Sequence, residues 1–163
     1  MDPARHQAVA REPRWLDERE QRVWRAFLSA NRLFFDRLDR ELQRDAGMPH
    51  AYYEILVRLS EAPRRALRMS DLADATLSSR SRLSHAAARL EQAGWIRREV
   101  HPTDRRGAVA VLTDEGVAAL TAAAPGHVEG VRTHLFDQLG EDDVTALLRI
   151  SESLLRHLSE PHD

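Results

Sequence analysis

The sequence predicts a mainly α-helical fold with one small β-hairpin, in the α+β class. Apolar residues recur at helical intervals through most of the 163 residues. Two short stretches, 95–100 and 108–113, have the composition of strands instead, and Pro102 and Gly107 lie between them as in a tight turn. The predicted order is helix, helix, helix, turn, helix, hairpin, helix, helix, without an internal repeat. The helix after the hairpin is predicted to kink or break at Pro125 and Gly126.

The composition excludes several classes of protein. Hydrophobic residues make up 42% of the chain and charged residues 31%, which is ordinary for a globular domain. No segment approaches the roughly 18 apolar residues of a membrane span. Residues 1–13 contain no apolar run, so we predict no secretory signal and a cytoplasmic location. The chain has no cysteine, which excludes disulfides, thiol chemistry and thiolate metal sites.

The formal net charge of −2 conceals an uneven distribution. Residues 78–106 contain seven arginines and three acids, a net charge of +4, whereas residues 107–163 contain three arginines and ten acids, a net charge of −7. All basic residues are arginine, which is weak evidence for DNA binding because it also follows from codon bias. The local excess of cations is the stronger signal, since one basic patch binds polyanions even on an acidic protein.

The N-terminal part of the chain predicts a flexible arm, residues 1–14, followed by one long helix within 15–48. Asp17 and Glu20 form a capping-box pattern at its start, and Gly47 and Pro49 close it. Apolar residues follow at three-, four- and seven-residue intervals. Such a helix is about 40 Å long, too long for a small domain to cover. We therefore predict a subunit interface here; the alternative is a long core helix.

A short helix, a tight turn and a second helix follow, and the hairpin comes directly after them. Ser70 is the predicted N-cap of the short helix, and Gly94 ends the second helix, residues 78–93. In that second helix Leu83, Ala87 and Leu90 share one face and are expected to pack on the core. Helix, turn, helix and hairpin together predict a winged helix-turn-helix, whose second helix enters the major groove of DNA.

The opposite face of the second helix has small, hydrogen-bonding and cationic side chains. Ser81, His85 and Ala88 lie at its centre and are flanked by Ser78, Arg82, Ser84 and Arg89. We expect Ser78 and Ser79 also to leave backbone N–H groups free for a phosphate. Any surface helix is polar outside, so this face alone favours DNA binding only weakly. The turn tip, with Asp104, Arg105 and Arg106, strengthens the prediction because adjacent cations repel unless an anion is near.

The run "MSDLADATLSSRSRLSHAAARLEQAGWIRREVHPTDRRGAVAVLTDEG" resembles the DNA-binding lobe of the multiple-antibiotic-resistance-regulator (MarR) family of bacterial transcription factors. The resemblance implies a homodimer that represses transcription at a pseudo-palindromic operator, with Arg105 or Arg106 in the minor groove. We expect Asp104 to decide which, since only one neighbouring arginine can easily be tied to it. It further implies a winged lobe over 49–114 and dimerisation helices over 15–48 and 115–163. The predicted DNA contacts are Ser78, Ser79, Arg80, Ser81, Arg82, Ser84, His85, Arg89, Asp104, Arg105 and Arg106.

The resemblance also implies a small aromatic or anionic effector bound between the two layers. Positions that correspond to such a pocket are Trp15, Trp24, Phe27, His50 and Tyr53. Aromatic residues at these spacings are more often plain core, which is the alternative for each of them.

Other functions have little support in the sequence. We predict no cofactor and no metal, because His127 and His134 lack further ligands at metal-binding spacing. No motif for catalysis is present, and the exposed Ser81 and His85 lack the orienting group and closed pocket of a nucleophilic site, so we predict that the protein is not an enzyme. The rival prediction is a winged-helix protein-interaction module that does not bind DNA.

Overall fold

Six α-helices and three β-strands form in the residues that the computed structural model describes, 12–100 and 107–160. The helices are α1 (Glu18–Ala46), α2 (His50–Glu61), α3 (Met69–Ala75), α4 (Arg80–Gln92), α5 (Asp114–His134) and α6 (Glu141–Ser159). The strands are β1 (Ala66–Arg68), β2 (Ile96–Val100) and β3 (Ala108–Leu112), and 3₁₀ turns cover Pro63–Arg65 and Phe136–Gln138. The predicted α+β class is confirmed.

The chain divides into two compact units, Met1–Leu33 and Phe34–Asp163, and the boundary falls inside α1. In the first unit α1 begins at the predicted capping box. The Glu20 N–H donates to Asp17 Oδ1 at 2.8 Å, and the Asp17 N–H donates to Glu20 Oε2 at 2.9 Å. Large apolar side chains stay exposed along this part of α1, namely Val23, Trp24, Phe27, Leu28 and Leu33.

The core of the second unit lies where α2, α3, α4 and the sheet meet. Leu56, Leu59, Leu72 and Leu90 are fully buried there, and Ile96 and Ala110 close the core from the sheet. Burial of each large apolar side chain contributes about 1.5–3 kcal/mol relative to leaving it in water. This core determines which face of α4 points to solvent.

The three strands form an antiparallel sheet in the order β1-β3-β2. The register pairs Leu67 with Ala110, and Arg98 with the same Ala110 from the other side. The sequence predicted only the hairpin β2–β3. Strand β1 was missed because three residues are too short to show alternation, and its pairing with β3 depends on tertiary contact.

Helix α3 begins two residues earlier than predicted. Arg68 occupies the N-cap position, so Ser70 is not the N-cap, and its hydroxyl instead donates to Asp71 Oδ1 at 3.0 Å. The predicted interruption at Pro125 and Gly126 is also wrong as a break, since α5 continues through both residues.

Helix α5 tolerates Pro125 because the ring removes only one intrahelical hydrogen bond, and packing against α2 supports the rest of the helix. Gly130 lets α5 approach α1 closely, since a Cβ at this position would lie 2.8 Å from Glu41 Oε2. Near the start of α5, Gly116 packs so closely on the carbonyl oxygen of Trp95 that no side chain fits. Glycines therefore position α5 against the hairpin at one end and against α1 at the other.

Helix α6 has no buried residue, and its leucines are exposed. Leu148 is 60% exposed, Leu155 57% and Leu158 68%. Among the helices of residues 12–100 and 107–160, none is long and apolar enough to cross a membrane.

Candidate nucleic-acid interface

Helix α4 is built as the sequence predicts. The hydroxyl oxygen of Ser79 caps it by accepting the Arg82 N–H at 3.3 Å, and Gly94, with φ of +78°, ends it. Leu83 and Ala87 are 2% and 0% exposed, and Leu90 is 0% exposed, so the predicted inner face is confirmed. Because this face is buried in the core, the opposite face of α4 must point to solvent.

The outward face of α4 contains six of the predicted DNA contacts. Exposed side chains on it are Arg80, Ser81, Arg82, Ser84, His85 and Arg89. Arg89 donates to Gln92 Oε1 at 3.3 Å, whereas Arg80 and Arg82 have no side-chain partner among the described residues. Cationic groups without an internal partner are available for an external anion.

The turn before α4 differs in one respect from the prediction. The Ser78 N–H is not free, because it donates to the carbonyl oxygen of Ala73 at 2.9 Å. The Ser78 hydroxyl donates to the carbonyl oxygen of Thr76 at 3.3 Å. Leu77 adopts a left-handed conformation with φ of +48°, which turns the chain sharply between α3 and α4. Ser78 thus helps to form this turn.

Two open depressions flank α4. The first lies between α2 and α4, has a volume of about 740 Å³ and includes Tyr52, Arg82, His85 and Arg89. The second, which we name the hairpin cleft, has a volume of about 430 Å³ and is lined by Arg68, Met69, Ser70, Arg80, Leu83, Ser84, Arg98, Gly107 and Ala108. Sequence reasoning missed Tyr52, Arg68, Ser70 and Arg98, which these depressions add to the predicted residues.

Arg98 lies at the hairpin cleft because of the alternation of β2. Successive side chains of a strand point to opposite faces, so Arg97 and Arg98 separate. Arg98 binds Glu91 of α4, whose Oε2 accepts from Nε at 2.8 Å and from Nη2 at 2.6 Å. These hydrogen bonds lower the pKa of Glu91 below its ordinary value. Arg97 pairs instead with Glu99 on its own strand, at 2.6 Å.

The predicted wing tip lies outside the described residues. Asp104, Arg105 and Arg106 belong to residues 101–106, so their roles stay predictions. The flanking strands are described: β2 ends at Val100 and β3 begins at Ala108.

Two of the predicted effector residues lie in an aromatic cluster of the second unit. The ring of His127 on α5 lies 4.3 Å from the ring of Tyr53 and 5.4 Å from that of His50. Burial, with a smaller contribution from His50, lowers the pKa of His127, and its buried Nδ1 has no hydrogen-bond partner among the described residues. Burial also raises the pKa of Tyr53. Trp15, Trp24 and Phe27 belong to the first unit, where all three are exposed.

A small cleft adjoins this cluster, lined by Leu38, Glu41, Asp45 and His127 among others. Its volume of about 50 Å³ is well below the roughly 300 Å³ at the lower end for small-molecule sites. Nearby, His134 Nε2 lies 2.8 Å from Glu41 Oε1. Within the described ranges, no three His, Asp or Glu side chains are arranged to bind a metal ion.

A helix-turn-helix followed by a hairpin, with a cationic outward face on its second helix, defines the class of winged-helix nucleic-acid-binding proteins. Comparison with known proteins narrows this class. The model of the MarR family matches residues 46–107. Sco3205, a MarR family transcriptional regulator from Streptomyces coelicolor solved in complex with DNA, is 52% identical, with 93% of this chain and 94% of that chain covered and a TM-score of 0.88.

AbsC, another MarR family regulator of Streptomyces coelicolor, is 45% identical, with 90% of this chain and 98% of that one covered and a TM-score of 0.84. The regulator PecS of Dickeya dadantii is 34% identical over 93 residues, which are 57% of this chain and only 55% of PecS. The protein belongs to the MarR family of transcriptional regulators. The resemblance stated from the sequence is therefore confirmed, and membership agrees with the prediction of a regulator that is not an enzyme.

Proposed function

We propose that this protein is a homodimeric repressor that binds a pseudo-palindromic operator in double-stranded DNA, in the cytoplasm of a bacterium. The outward face of α4 carries this proposal, because it presents hydroxyls and unpaired arginines on a helix whose opposite face is buried. The Sco3205 complex with DNA supports it by similarity.

Each group on α4 has a role that follows from its chemistry. Arg82 and Arg89 contact phosphates, which sets affinity and register without reading sequence. Ser81, Ser84 and His85 lie centrally enough on the outward face to reach base edges in the major groove. Ala88 adds no bulk there, so the helix can approach the bases closely.

Homodimerisation is supported by two exposed apolar faces, each described within its own unit. One is the Val23, Trp24 and Phe27 side of α1, and the other is the leucine face of α6. Large apolar faces of this kind on a monomer mark interaction surfaces. A dimer presents two copies of α4 to half-sites spaced by about one helical turn of DNA, roughly 34–36 Å.

The test is DNA binding by the full chain. We expect the protein to protect a palindromic segment immediately upstream of its own gene in a footprinting experiment, and to bind that segment more tightly than a shuffled duplex. Failure to bind either duplex at moderate salt would favour the rival function, a protein-interaction module.

An effector is a second, separable part of the proposal. A small aromatic or anionic ligand lowers operator affinity if it prefers a dimer whose lobes are wrongly spaced. The cleft beside His127 is too small for such a ligand, so binding there requires the side chains around it to move. Titration of phenolic carboxylates into the protein–operator complex tests this, with release of the DNA as the expected result.

A further inference from the structure

The hairpin cleft brings together arginines from three separate elements. Arg68 precedes α3, Arg80 begins α4 and Arg98 lies on β2. The described lining of the cleft includes no acidic side chain. It does include Ser84, which is exposed on the outward face of α4. Arg68 and Arg80 form no side-chain hydrogen bond or ion pair with the described residues. Arg68 also borders the groove that contains Asp71 and Glu99, so Arg80 and Arg98 are the two cations that distinguish the hairpin cleft from that groove. Cations in a cleft whose described lining has no acid form a place for an anion.

Arg98 differs from the other two arginines because a residue of α4, Glu91, fixes the orientation of its guanidinium. Glu91 Oε2 accepts from both Nε and Nη2, and Glu91 Oε1 accepts from the Arg98 backbone N–H at 3.1 Å. The carboxylate is thereby oriented as well as the guanidinium. A guanidinium has five N–H donors, so Nη1 keeps its donors for another acceptor. An arginine oriented in this way loses less conformational freedom when it binds a phosphate.

We propose that the hairpin cleft binds one backbone phosphate of the operator, between the base-reading face of α4 and the wing, and that Glu91 is the positioning residue that directs Arg98 to it. This inference rests on DNA binding as the function of the protein and adds a contact beyond the predicted set. We assign a DNA phosphate to the hairpin cleft because Arg80 and Ser84 belong both to the cleft and to the outward face of α4. DNA bound on that face therefore passes next to the cleft.

The opposite face of the sheet provides an internal control. Arg97 is adjacent to Arg98 in sequence, but it lies in a groove that also contains Asp71 and Glu99. Arg97 is paired with Glu99 much as Arg98 is paired with Glu91, but the groove around Arg97 is lined by acidic side chains and the hairpin cleft is not. Replacing Arg97 removes the same charge from the same strand without affecting the hairpin cleft.

The experiment measures affinity for the footprinted upstream duplex as a function of salt, for wild type, Arg98→Ala, Arg68→Ala and Arg97→Ala. We expect Arg98→Ala to weaken binding about tenfold and to reduce the slope of log K against log salt by about 0.9, the value for one phosphate. Arg68→Ala should have a smaller effect in the same direction, because Arg68 also borders the acidic groove. Arg97→Ala should change neither the affinity nor the slope. Equal slopes for Arg98→Ala and Arg97→Ala would overturn the proposal.

The role of Glu91 has its own readout. Glu91→Gln leaves the cation in place but loosens its orientation, so specific affinity should fall while affinity for a shuffled duplex is retained or rises. Arg98→Lys should keep the salt slope and lose specific affinity, because an ammonium lacks the planar fork that Glu91 orients. If Glu91→Gln lowers affinity for both duplexes equally, the positioning role is wrong. Thermal unfolding of each variant identifies a loss of folding.

The phosphate itself is located with methylphosphonate substitutions at single positions of the duplex. At the correct position wild type should lose affinity, and Arg98→Ala should lose nothing more. Additive losses at every position would contradict the proposal. If the cleft variants bind DNA normally but no longer bind a poly-glutamate peptide, the cleft is an acidic-peptide site. If the wild-type protein binds no duplex at all, the proposed DNA-binding function itself is wrong, and the cleft proposal falls with it.

Discussion

Helices α4 and α6 contrast in which of their faces the chain covers. In α4 the apolar residues Leu83 and Leu90 are 2% and 0% exposed, and the polar face points outward. In α6 the apolar residues point outward, with Leu155 57% exposed and no residue buried. The apolar face of α4 is buried in the core of the same chain, whereas the apolar face of α6 is exposed and available for contact with another surface.

This difference separates stability from assembly. Substitutions on the inner face of α4 should act on folding of the single chain, and substitutions on the apolar face of α6 should act on association. The outer face of α4 should affect neither and act only on DNA. Each prediction below tests one part of this division, beginning with the largest expected effect.

Leu90→Ala should lower the free energy of unfolding by about 2–5 kcal/mol, because it removes a fully buried side chain and leaves a cavity. Urea denaturation followed by circular dichroism measures it. Leu155→Ala is the matched control, with the same chemical change at an exposed position, and its effect should depend on protein concentration. An equal, concentration-independent loss in both variants would contradict the division.

Leu155→Glu should shift the protein from dimer to monomer, since a charge placed in an apolar interface must lose its hydration. Sedimentation equilibrium measures the change, and operator affinity should fall with it because half-sites are then bound singly. Glu152→Gln, also on α6, serves as the control and should sediment like wild type. A dimer of unchanged strength in Leu155→Glu would place the interface elsewhere.

Arg105→Ala and Arg106→Ala test the wing tip, which the sequence alone predicts. One of the two should weaken operator binding about tenfold and reduce the salt slope by about 0.9, because one cation–phosphate contact is lost. The other, tied to Asp104, should bind like wild type. Fluorescence anisotropy in a salt series distinguishes them, and two variants with unchanged slopes would refute the assignment.

His127 should make stability depend modestly on pH. Its pKa lies below the ordinary 6.5 because burial and His50 disfavour the charged ring. The unfolded chain therefore binds this proton more readily, so stability is complete above about pH 6.5 and declines as the pH falls toward the folded pKa. His127→Phe keeps a ring against Tyr53 and should flatten this decline, measured by denaturation at a series of pH values.

His85→Gln is the control for the pH experiment, since His85 is exposed on α4. Its stability profile should match that of wild type. A decline with the same slope in His127→Phe would assign the pH dependence to other groups.

Local patterns predicted the parts of this protein that depend on a single segment. The spacing of Leu83, Ala87 and Leu90 predicted both faces of α4, and the capping box at Asp17 predicted the start of α1. These predictions succeeded because helix periodicity and capping act within a few residues. The break at Pro125 failed for the opposite reason: packing of α5 outweighed a local preference.

The two adjacent arginines of β2 show where local reasoning ends. Sequence patterns place Arg97 and Arg98 on opposite faces of a strand, but they do not say which face meets α4. The register of β2 with β3 and the ion pair with Glu91 decide which arginine meets α4. Glu91 lies at the end of α4, and Arg98 follows it on the next strand after a short turn. The same limit applies to β1, whose partner lies more than forty residues away.

The sequence by itself determined the α+β class, the helix-turn-helix with its hairpin, the family and the outward face of α4, because each depends on spacing or on a motif within one stretch of chain. Only the tertiary structure decided that Arg68, Arg80 and Arg98 share one cleft, that Glu91 orients Arg98, and that His127 is buried against Tyr53. The physical reason is that these properties depend on distances between segments. Packing of the core and pairing of the strands determine those distances.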